Sequence, residues 1–285
     1  MNLRRVGGNL LAPVRPLLAD PFRKGSGMVP GFLVIGTKRG GSTFAYQCIA
    51  DHPEVAPCRT EKGTHYFDVN HKRGFRWYLS GFEKPGGDWK ITGEGSPYYM
   101  FHPLSPGWIA AELPAVKLVT VLRDPVSRAW SQHQYETAQG LETLPFLEAL
   151  DAEDERLAGE VEKLTADPSY ESYAHRHHTY LSRGHYAEQL EHLYTLFPRE
   201  QVLVLQSEAL FAEPHRELAR VWDFLGLSQV ELSGLKPIKA NSYDKAMPDG
   251  AAERLADYYA PHNERLFALE GDDLRWGAPA ADRRP

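Results

Sequence analysis

The sequence is poor in cysteine. Its 285 residues include only two, Cys48 and Cys58. A chain this long cannot be held together by one pair of cysteines, and no C-x-x-C pair is present. We expect both side chains to be reduced thiols and assign them no role in a disulfide framework.

A long apolar run is also absent. The N-terminal "MNLRRVGGNLLAPVRPLLADPF" begins with early arginines, and Gly, Asn, Pro and Arg interrupt its leucines. It therefore lacks the apolar core of a signal peptide. No stretch is long enough to span a bilayer, so we expect no stable membrane insertion. We predict a flexible or surface-packed arm over residues 1–30.

Positive charge is not in excess. The net charge is −6 and the pI is about 6.1. An overall basic field that would hold nucleic acid non-specifically is therefore excluded, and any anion site must be local. The composition is that of an ordinary globular protein, and the length suits one large α/β domain or two small ones.

Short apolar runs alternate with helical patterns. Their apolarity is nearly continuous, which is typical of parallel strands covered on both faces. We predict an α/β, P-loop-like three-layer fold with a central parallel sheet flanked by helices. The predicted strands are Phe32–Gly36, Lys117–Arg123, Gln201–Gln206 and, more weakly, Trp89–Glu94; the helices are Ser42–Ala50, Val126–Thr137, His185–Phe197, Pro214–Leu225 and one or two C-terminal helices split near Pro261.

An acidic segment interrupts this alternation. Between Glu142 and Glu171 the only cations are Arg156 and Lys163. We interpret residues 142–175 as a helical insertion, which is either a solvated surface element or a lid over a substrate site. If its acids lined the cleft, they would disfavour a highly anionic polymer as substrate.

The first predicted strand leads into the glycine-rich turn "GTKRGGST", Gly36–Thr43. A strand, a glycine turn and a helix N-terminus form an anion site, because backbone N–H groups and the helix dipole face the ligand. Gly40 and Gly41 permit close backbone approach. A nucleotide-triphosphate loop has a lysine directly after its last glycine. Here that residue is Ser42, and the cations lie inside the turn.

The turn resembles the 5′-phosphosulfate loop of sulfotransferases that use 3′-phosphoadenylyl sulfate (PAPS). It is most similar to the heparan-sulfate-type branch and its bacterial relatives. Further ordered blocks carry the resemblance: "HYFDVNHKRGFRWYLSGF" from His65, "KLVTVLRDPVSRAWSQHQYE" from Lys117, "SRGHY" from Ser182 and "VWDFLGL" from Val221. The resemblance covers most of residues 31–270, and we assign residues 31–285 to one sulfotransferase domain.

The resemblance implies PAPS as donor and PAP as product, with no metal. It implies that the loop binds the 5′ end of the donor and that Arg123 and Ser131 bind the 3′-phosphate. Arg183 and Tyr186 match an R-G-x-Y block beside the ligands, and Lys245 lies in a loop expected to fold over the nucleotide. The loop residues expected to bind the donor are Lys38, Arg39, Gly40, Gly41, Ser42 and Thr43, of which Ser42 and Thr43 are also candidate helix caps.

The sequence around Arg123 supports this independently. Arg123 ends a predicted strand, Asp124 is a good N-cap and Pro125 a good first helical residue. A guanidinium at the carboxyl edge of a parallel sheet can grip a phosphate with two hydrogen bonds. The alternative is a salt bridge to a nearby carboxylate. Arg128 is interpreted as a surface charge.

The chain departs from the family at both catalytic positions. The family's usual lysine aligns with Arg39, and Lys38 precedes it, so either cation is a candidate to stabilise the leaving phosphate. The family's glutamate base aligns with Gly63. Nearby Glu61 and His65 are the candidate bases, with Glu94 on the next strand as a further option. His65 has a structural alternative beside its aromatic neighbours.

The histidine-rich "HRHHTYLSRGHY" does not have the spacing of a helical zinc pair, so we predict no metal and a cluster at the rim or surface. The predicted function is transfer of a sulfuryl group to a hydroxyl or amine of a glycan, glycolipid or secondary metabolite. Trp77, Tyr78, Tyr98 and Tyr99 are stacking or core aromatics. Two alternatives stay open: a P-loop kinase or NTPase, and a non-catalytic PAP(S)-binding homologue. We expect a cytoplasmic bacterial form, and the oligomeric state is not predicted.

Overall fold

The computed structural model describes residues 27–59, 63–235, 246–271 and 274–276. The strands are β1 (Phe32–Gly36), β2 (Val55–Ala56), β3 (Ile91–Gly95), β4 (Lys117–Leu122) and β5 (Val202–Gln206). The helices are α1 (Ser42–Ala50), α2 (Phe75–Leu79), α3 (Ser105–Glu112), α4 (Pro125–Ala138), α5 (Phe146–Asp151), α6 (Glu153–Leu157), α7 (Glu160–Ala166), α8 (Tyr173–His177), α9 (Tyr186–Leu196), α10 (Ser207–Ala212), α11 (Pro214–Leu225) and α12 (Ala251–Glu270).

The strands form a five-stranded parallel sheet in the order β2-β3-β1-β4-β5. Successive residues of β1 serve opposite faces: Leu33 and Ile35 belong to one hydrophobic cluster, and Phe32 and Val34 to the other. Helices cover both faces, which explains why the strands are apolar throughout. The predicted three-layer α/β fold is confirmed, and only the two-residue strand β2 was not foreseen.

The strand order places the carboxyl ends of β1 and β4 side by side in the middle of the sheet. β1 lies between β3 and β4; the connection after β1 leads to β2 at one edge of the sheet, whereas the connection after β4 leads to β5 at the other. Such a point in an open parallel sheet leaves a crevice for ligands. The glycine turn follows β1, and Arg123 follows β4 directly.

The C-terminal helix differs from the prediction of a split. α12 runs unbroken through Pro261, which lies in its interior. Its buried residues include Leu255, Tyr259 and Leu266, and these pack against the rest of the molecule on both sides of the proline. Tertiary packing therefore outweighs the helix-breaking tendency of Pro261.

The acidic segment is not simply a solvated surface. Three of its glutamates, Glu142, Glu153 and Glu160, are buried. Glu142 accepts hydrogen bonds from Arg156 and from the Tyr180 hydroxyl at 2.7 and 2.9 Å. These acids therefore fasten α5–α8 to the core rather than facing water. Among the described residues, none of the helices is both long and apolar enough to cross a bilayer.

Candidate active site

The glycine turn is tightly held at the end of β1. Its Thr37 N–H donates to the Val121 carbonyl at 3.0 Å, and its Gly40 N–H donates to the Thr37 carbonyl at 3.0 Å. A Cβ at Gly40 would lie 2.5 Å from the Val121 oxygen, so only glycine fits. Gly41 has φ +104° and is the N-cap of α1 without any side-chain cap. The predicted capping by Ser42 or Thr43 was therefore wrong: both residues lie in the first turn and line the adjoining cavity.

Lys38 and Arg39 take separate partners. The Lys38 ammonium pairs with the fully buried Glu136 carboxylate and donates to the Arg176 carbonyl at 3.3 Å. Burial lowers the pKa of Lys38 to about 8, and the positive charge of Arg183 acts in the same direction, while pairing with Glu136 opposes them. The ammonium is therefore charged at neutral pH but close to its titration point.

Arg39 lies in the left-handed region, with φ 68°. Its Nε donates to the Ser131 hydroxyl at 3.1 Å, and its guanidinium stacks over the Tyr135 ring at 5.0 Å from the ring centre. Arg39 and Tyr135 line the cavity; Ser131 does not. Ser131, predicted to bind the 3′-phosphate, thus holds Arg39 in place.

Arg123 follows β4 at the cavity wall. Asp124 caps α4 through its contacts to the Val126 and Ser127 N–H groups at 3.2 and 3.4 Å, as predicted. Within the described part of the chain, Arg123 makes no ion pair; its Nη1 donates to the Arg39 carbonyl at 3.4 Å. The salt-bridge alternative is therefore not realised, and Arg123 is available to an anion.

Tyr186, a predicted site residue, and Arg128, interpreted as a surface charge, both have structural positions. Tyr186 is buried and its hydroxyl donates to the Arg123 carbonyl at 2.9 Å, which fixes the backbone of Arg123. Arg128, interpreted as a surface charge, is instead fully buried; its Nη1 donates to Gln132 at 2.6 Å. That interpretation was wrong because α4 turns this side of the helix toward the core.

Arg183 is a buried guanidinium in the cavity wall. It donates to the Thr179 hydroxyl at 3.0 Å and to the His175 and Arg176 carbonyls at 3.1 and 3.2 Å. Its guanidinium lies 4.4 Å from the centre of the Phe101 ring. Among the described residues its Nη1 has no hydrogen-bond partner. Burial lowers the pKa of Arg183 to about 10, so the charge is kept at neutral pH. A buried cation with a spare donor is well suited to an anionic ligand.

His65 lines the cavity, as do Gly63 and Tyr98. Its Nδ1 contacts the buried Asp68 carboxylate at 2.8 Å. This carboxylate orients the ring and leaves Nε2 as the nitrogen that can take a substrate proton. The pair has the geometry of a general base with its orienting acid.

Gly63, which replaces the family's glutamate, has no room for a side chain. A Cβ there would lie 2.4 Å from the Ser96 hydroxyl and 2.5 Å from the Gly95 carbonyl. Glu94, the further candidate base, lies behind this backbone. It is fully buried and accepts hydrogen bonds from Thr64, Ser96 and Tyr99 at 2.6 to 3.0 Å. Burial raises the pKa of Glu94. It does not line the cavity, so its place is structural.

The residues directly after the insertion complete the cavity. Arg176 and His177 line it from the end of α8, and His177 Nδ1 contacts Glu136 at 3.1 Å. Burial would raise the pKa of Glu136, but the His177 hydrogen bond and the Lys38 charge outweigh it and lower that pKa. One carboxylate therefore joins the donor loop to the end of α8. Sequence reasoning missed Glu136, because only the fold brings α4, the loop and α8 together.

The cavity has a volume of about 1340 Å³. The cationic side chains in its described wall number five, against a single carboxylate, Glu208. The five cations are Lys38, Arg39, Arg123, Arg176 and Arg183. Their excess of positive charge fits a ligand with several negative charges.

Two predicted site residues, Glu61 and Lys245, lie outside the described residues.

The aromatic candidates divide between cavity and core. Tyr98 lines the cavity and its hydroxyl contacts His175 at 2.7 Å. Tyr78 and Tyr99 are buried in the core, and Trp77 packs against the same cluster. At the other end of the cavity wall Phe44 and Phe211 form an aromatic pair, 5.2 Å between ring centres. This pair was not predicted.

The parallel sheet, the glycine turn with Ser42 in place of the triphosphate-loop lysine, and the convergent cations define a cavity suited to a polyanionic ligand. Comparison with known families agrees: the sulfotransferase domain model matches residues 30–253. The chain belongs to the sulfotransferase family, and the enzyme is a sulfotransferase.

Its relatives include human heparan sulfate glucosamine 3-O-sulfotransferases 6 and 3A1. Each is 29% identical; the first alignment covers 93% of this chain and 78% of the relative, the second 94% and 68%. Among solved structures, a sulfotransferase from Alicyclobacillus acidocaldarius is 25% identical with a TM-score of 0.69, over 85% of this chain and 96% of that one. The predicted family resemblance is confirmed.

Proposed function

We propose that the enzyme transfers a sulfuryl group from PAPS to a hydroxyl or amine of a glycan, glycolipid or secondary metabolite, by in-line displacement and without metal. The observation that carries the proposal is the convergence of five cationic side chains on one cavity at the glycine turn. PAPS has about four negative charges, from its 3′-phosphate and its phosphosulfate. The cationic wall offsets that charge without magnesium.

In this proposal the 5′-phosphosulfate binds at the N-terminus of α1, beside Arg39, Ser42 and Thr43. The 3′-phosphate binds Arg123, together with the cavity-lining Ser127. Ser127 is favoured over the predicted Ser131, because Ser127 lines the cavity and Ser131 does not. The adenine ring fits the apolar wall formed by Phe44 and Phe211.

The transfer is a single displacement. The acceptor oxygen or nitrogen attacks sulfur, and the bond from sulfur to the bridging phosphate oxygen breaks. The acceptor proton passes to His65 Nε2, and the imidazolium is stabilised by Asp68. The electron pair of the broken bond stays on the PAP 5′-phosphate, where Arg39 offsets the growing charge.

A glycan hydroxyl is the acceptor that we favour, since several relatives are named for heparan sulfate glucosamine. The acids of the insertion provide no argument against an anionic acceptor, because none of residues 142–175 lines the cavity; the residues that follow, Arg176 and His177, do. Tyr98 offers a ring for stacking on a sugar. The insertion's role as a lid, a bacterial source and a cytoplasmic location stay predictions.

Labelled PAPS and a panel of glycan, glycolipid and small-molecule acceptors test the proposal. We expect label to appear in an acceptor, and Arg123→Ala to weaken PAP binding by about 10–100-fold in calorimetry. Arg254→Ala, an exposed arginine paired with Asp151, is the matched control. Micromolar ATP binding without PAP binding would favour a kinase or NTPase. PAP binding without transfer to any acceptor would favour a non-catalytic homologue.

A further inference from the structure

Two histidines and a glutamate meet where α9 packs on α12. They are His185 and Glu188, at the start of α9, and His262 on α12. Their potential ligand atoms all lie within 4.8 Å of one another. None of the three lines the donor cavity; His185 and Glu188 border a second cavity of about 300 Å³. The cluster is therefore separate from the proposed transfer site.

The carboxylate lies symmetrically between the two rings. His185 Nδ1 is 3.9 Å from Glu188 Oε2, and His262 Nδ1 is 3.9 Å from Glu188 Oε1. Zinc binds nitrogen and oxygen ligands at about 2.0–2.2 Å. Ligand atoms about 3–4 Å apart can therefore share one ion. The two histidine–glutamate separations are at the upper end of that range and the three ligand atoms together extend to 4.8 Å, so a side chain must move inward to bind.

Tyr258 holds one ring in the orientation that a metal ligand needs. Its hydroxyl contacts His185 Nε2 at 2.8 Å, which leaves Nδ1 on the side of Glu188 and His262. Metal-ligating histidines usually have such a partner on their second nitrogen.

We propose that His185, Glu188 and His262 form a site for a divalent transition metal of the zinc type. The two rings are stacked, with centres 3.9 Å apart and planes 7° from parallel. Because nitrogen lone pairs lie in the ring plane, one ring must rotate to bind the ion. His262 is the ring free to do so, since its side chain is 27% exposed and Tyr258 holds His185. Water from the adjoining cavity completes the coordination.

One neighbouring cation competes with the metal. Arg265 Nη1 lies 3.6 Å from Glu188 Oε1. Its closer partner is Glu191, to which its Nε donates at 2.9 Å. An ion at Glu188 therefore displaces only the longer contact of Arg265. The bound metal would join α9 to α12 and so stabilise the segment that follows the cavity residue Arg183.

The test uses the full-length, tag-free protein with Zn²⁺ in calorimetry and Co²⁺ in visible absorption. We expect one ion per chain and a cobalt spectrum of low coordination number. At free Zn²⁺ of about 100 times Kd, the unfolding equilibrium shifts about 100-fold toward the folded state. His262→Ala and Glu188→Gln each weaken binding by at least tenfold. His215→Ala, an exposed histidine on α11, leaves binding unchanged.

Three results would overturn the proposal. They are the absence of saturable binding, binding that His262→Ala and Glu188→Gln leave intact, or an equal loss in His215→Ala. Circular dichroism and metal-free thermal unfolding separate misfolding of the His262 variant from lost binding, since both should match the wild type at this partly exposed position. The outcome is independent of sulfuryl transfer, which is measured with PAPS and no added metal.

Discussion

At the residue scale, Lys38 and Arg39 have different partners and different roles in the donor loop. The left-handed backbone at Arg39 sends consecutive side chains to different partners. Lys38 meets the buried Glu136, whereas Arg39 stacks on Tyr135 and is held by Ser131. A cation already paired with a carboxylate has less charge to offer a leaving group. We therefore assign stabilisation of the leaving phosphate to Arg39 and a structural role to Lys38.

Separate substitutions test this division. Arg39→Ala should lower kcat by about 10²–10³-fold, because it removes a contact that strengthens as charge develops. Its stability should stay close to wild type. Lys38→Met should instead destabilise the fold by about 3 kcal/mol, since the buried Glu136 carboxylate loses its cation and keeps only its contact with His177. Steady-state kinetics and urea unfolding measure the two effects.

The double variant Lys38→Met with Glu136→Gln provides the control. It removes both charges, so most of the lost stability should return. If this variant is stable but loses as much kcat as Arg39→Ala, then Lys38, and not Arg39, stabilises the leaving group.

Lys38 should also make donor affinity depend on pH. Its pKa is lowered from 10.5 to about 8, so the ammonium is charged below pH 8 and progressively neutral above it. PAP phosphates are fully ionised in this range. The Kd for PAP should therefore rise by several-fold, at most about tenfold, between pH 7 and 9.5, because a positive charge in the cavity wall is lost. Lys38→Arg keeps its charge and should show a flat profile; an equal rise in both proteins would contradict the assignment.

At the scale of elements, the insertion acts as a support for the donor cavity. Glu153 of α6 is buried, and its carboxylate accepts from the Tyr180, Leu181 and Ser182 N–H groups at 2.6 to 2.8 Å. Those three residues directly precede Arg183. The acid at the base of the insertion therefore fixes the chain that presents the buried guanidinium.

Glu153→Ala should consequently weaken both fold and donor binding. Buried N–H groups left without an acceptor cost about 1–3 kcal/mol each, and partial relaxation lowers the total to about 3 kcal/mol. PAP affinity should fall together with stability as Arg183 moves. Glu155→Ala, on the same helix but exposed, is the matched control. Lost stability with unchanged PAP affinity would show that Glu153 does not position Arg183.

The elements that could be predicted from sequence are those with local causes. Continuous apolar runs indicated β1, β4 and β5, and Asp124 with Pro125 marked the start of α4, all confirmed. Pro261 misled because packing along α12 is not a local property. Likewise Arg176 lines the cavity, and Glu136 joins the wall residues Lys38 and His177, through contacts between distant segments. Nothing in their own sequence surroundings indicated a site.

At the scale of the whole molecule, buried neutral histidines set a limit on acid stability. His102 accepts from the Leu104 N–H through Nδ1 at 3.3 Å, and His175 contacts Tyr98 at 2.7 Å while its ring stacks on Phe101. Burial lowers the pKa of His102 to about 4 and that of His175 to about 3. Both rings are therefore neutral in the folded protein over a range where the unfolded chain is protonated.

The sign of the effect follows from proton counting. Below pH 6.5 the unfolded state binds protons that the folded state does not, so stability falls as pH falls toward 4. Each of the two rings should remove about 2 kcal/mol between pH 7 and 4.5. Urea unfolding at several pH values measures the slope. His102→Gln should remove about half of the stability loss that the two rings together cause between pH 7 and 4.5. His215→Gln, at an exposed position on α11, should leave the pH dependence of stability unchanged. Equal stability of the wild type at pH 7 and 4.5 would show that these rings take up protons without unfolding.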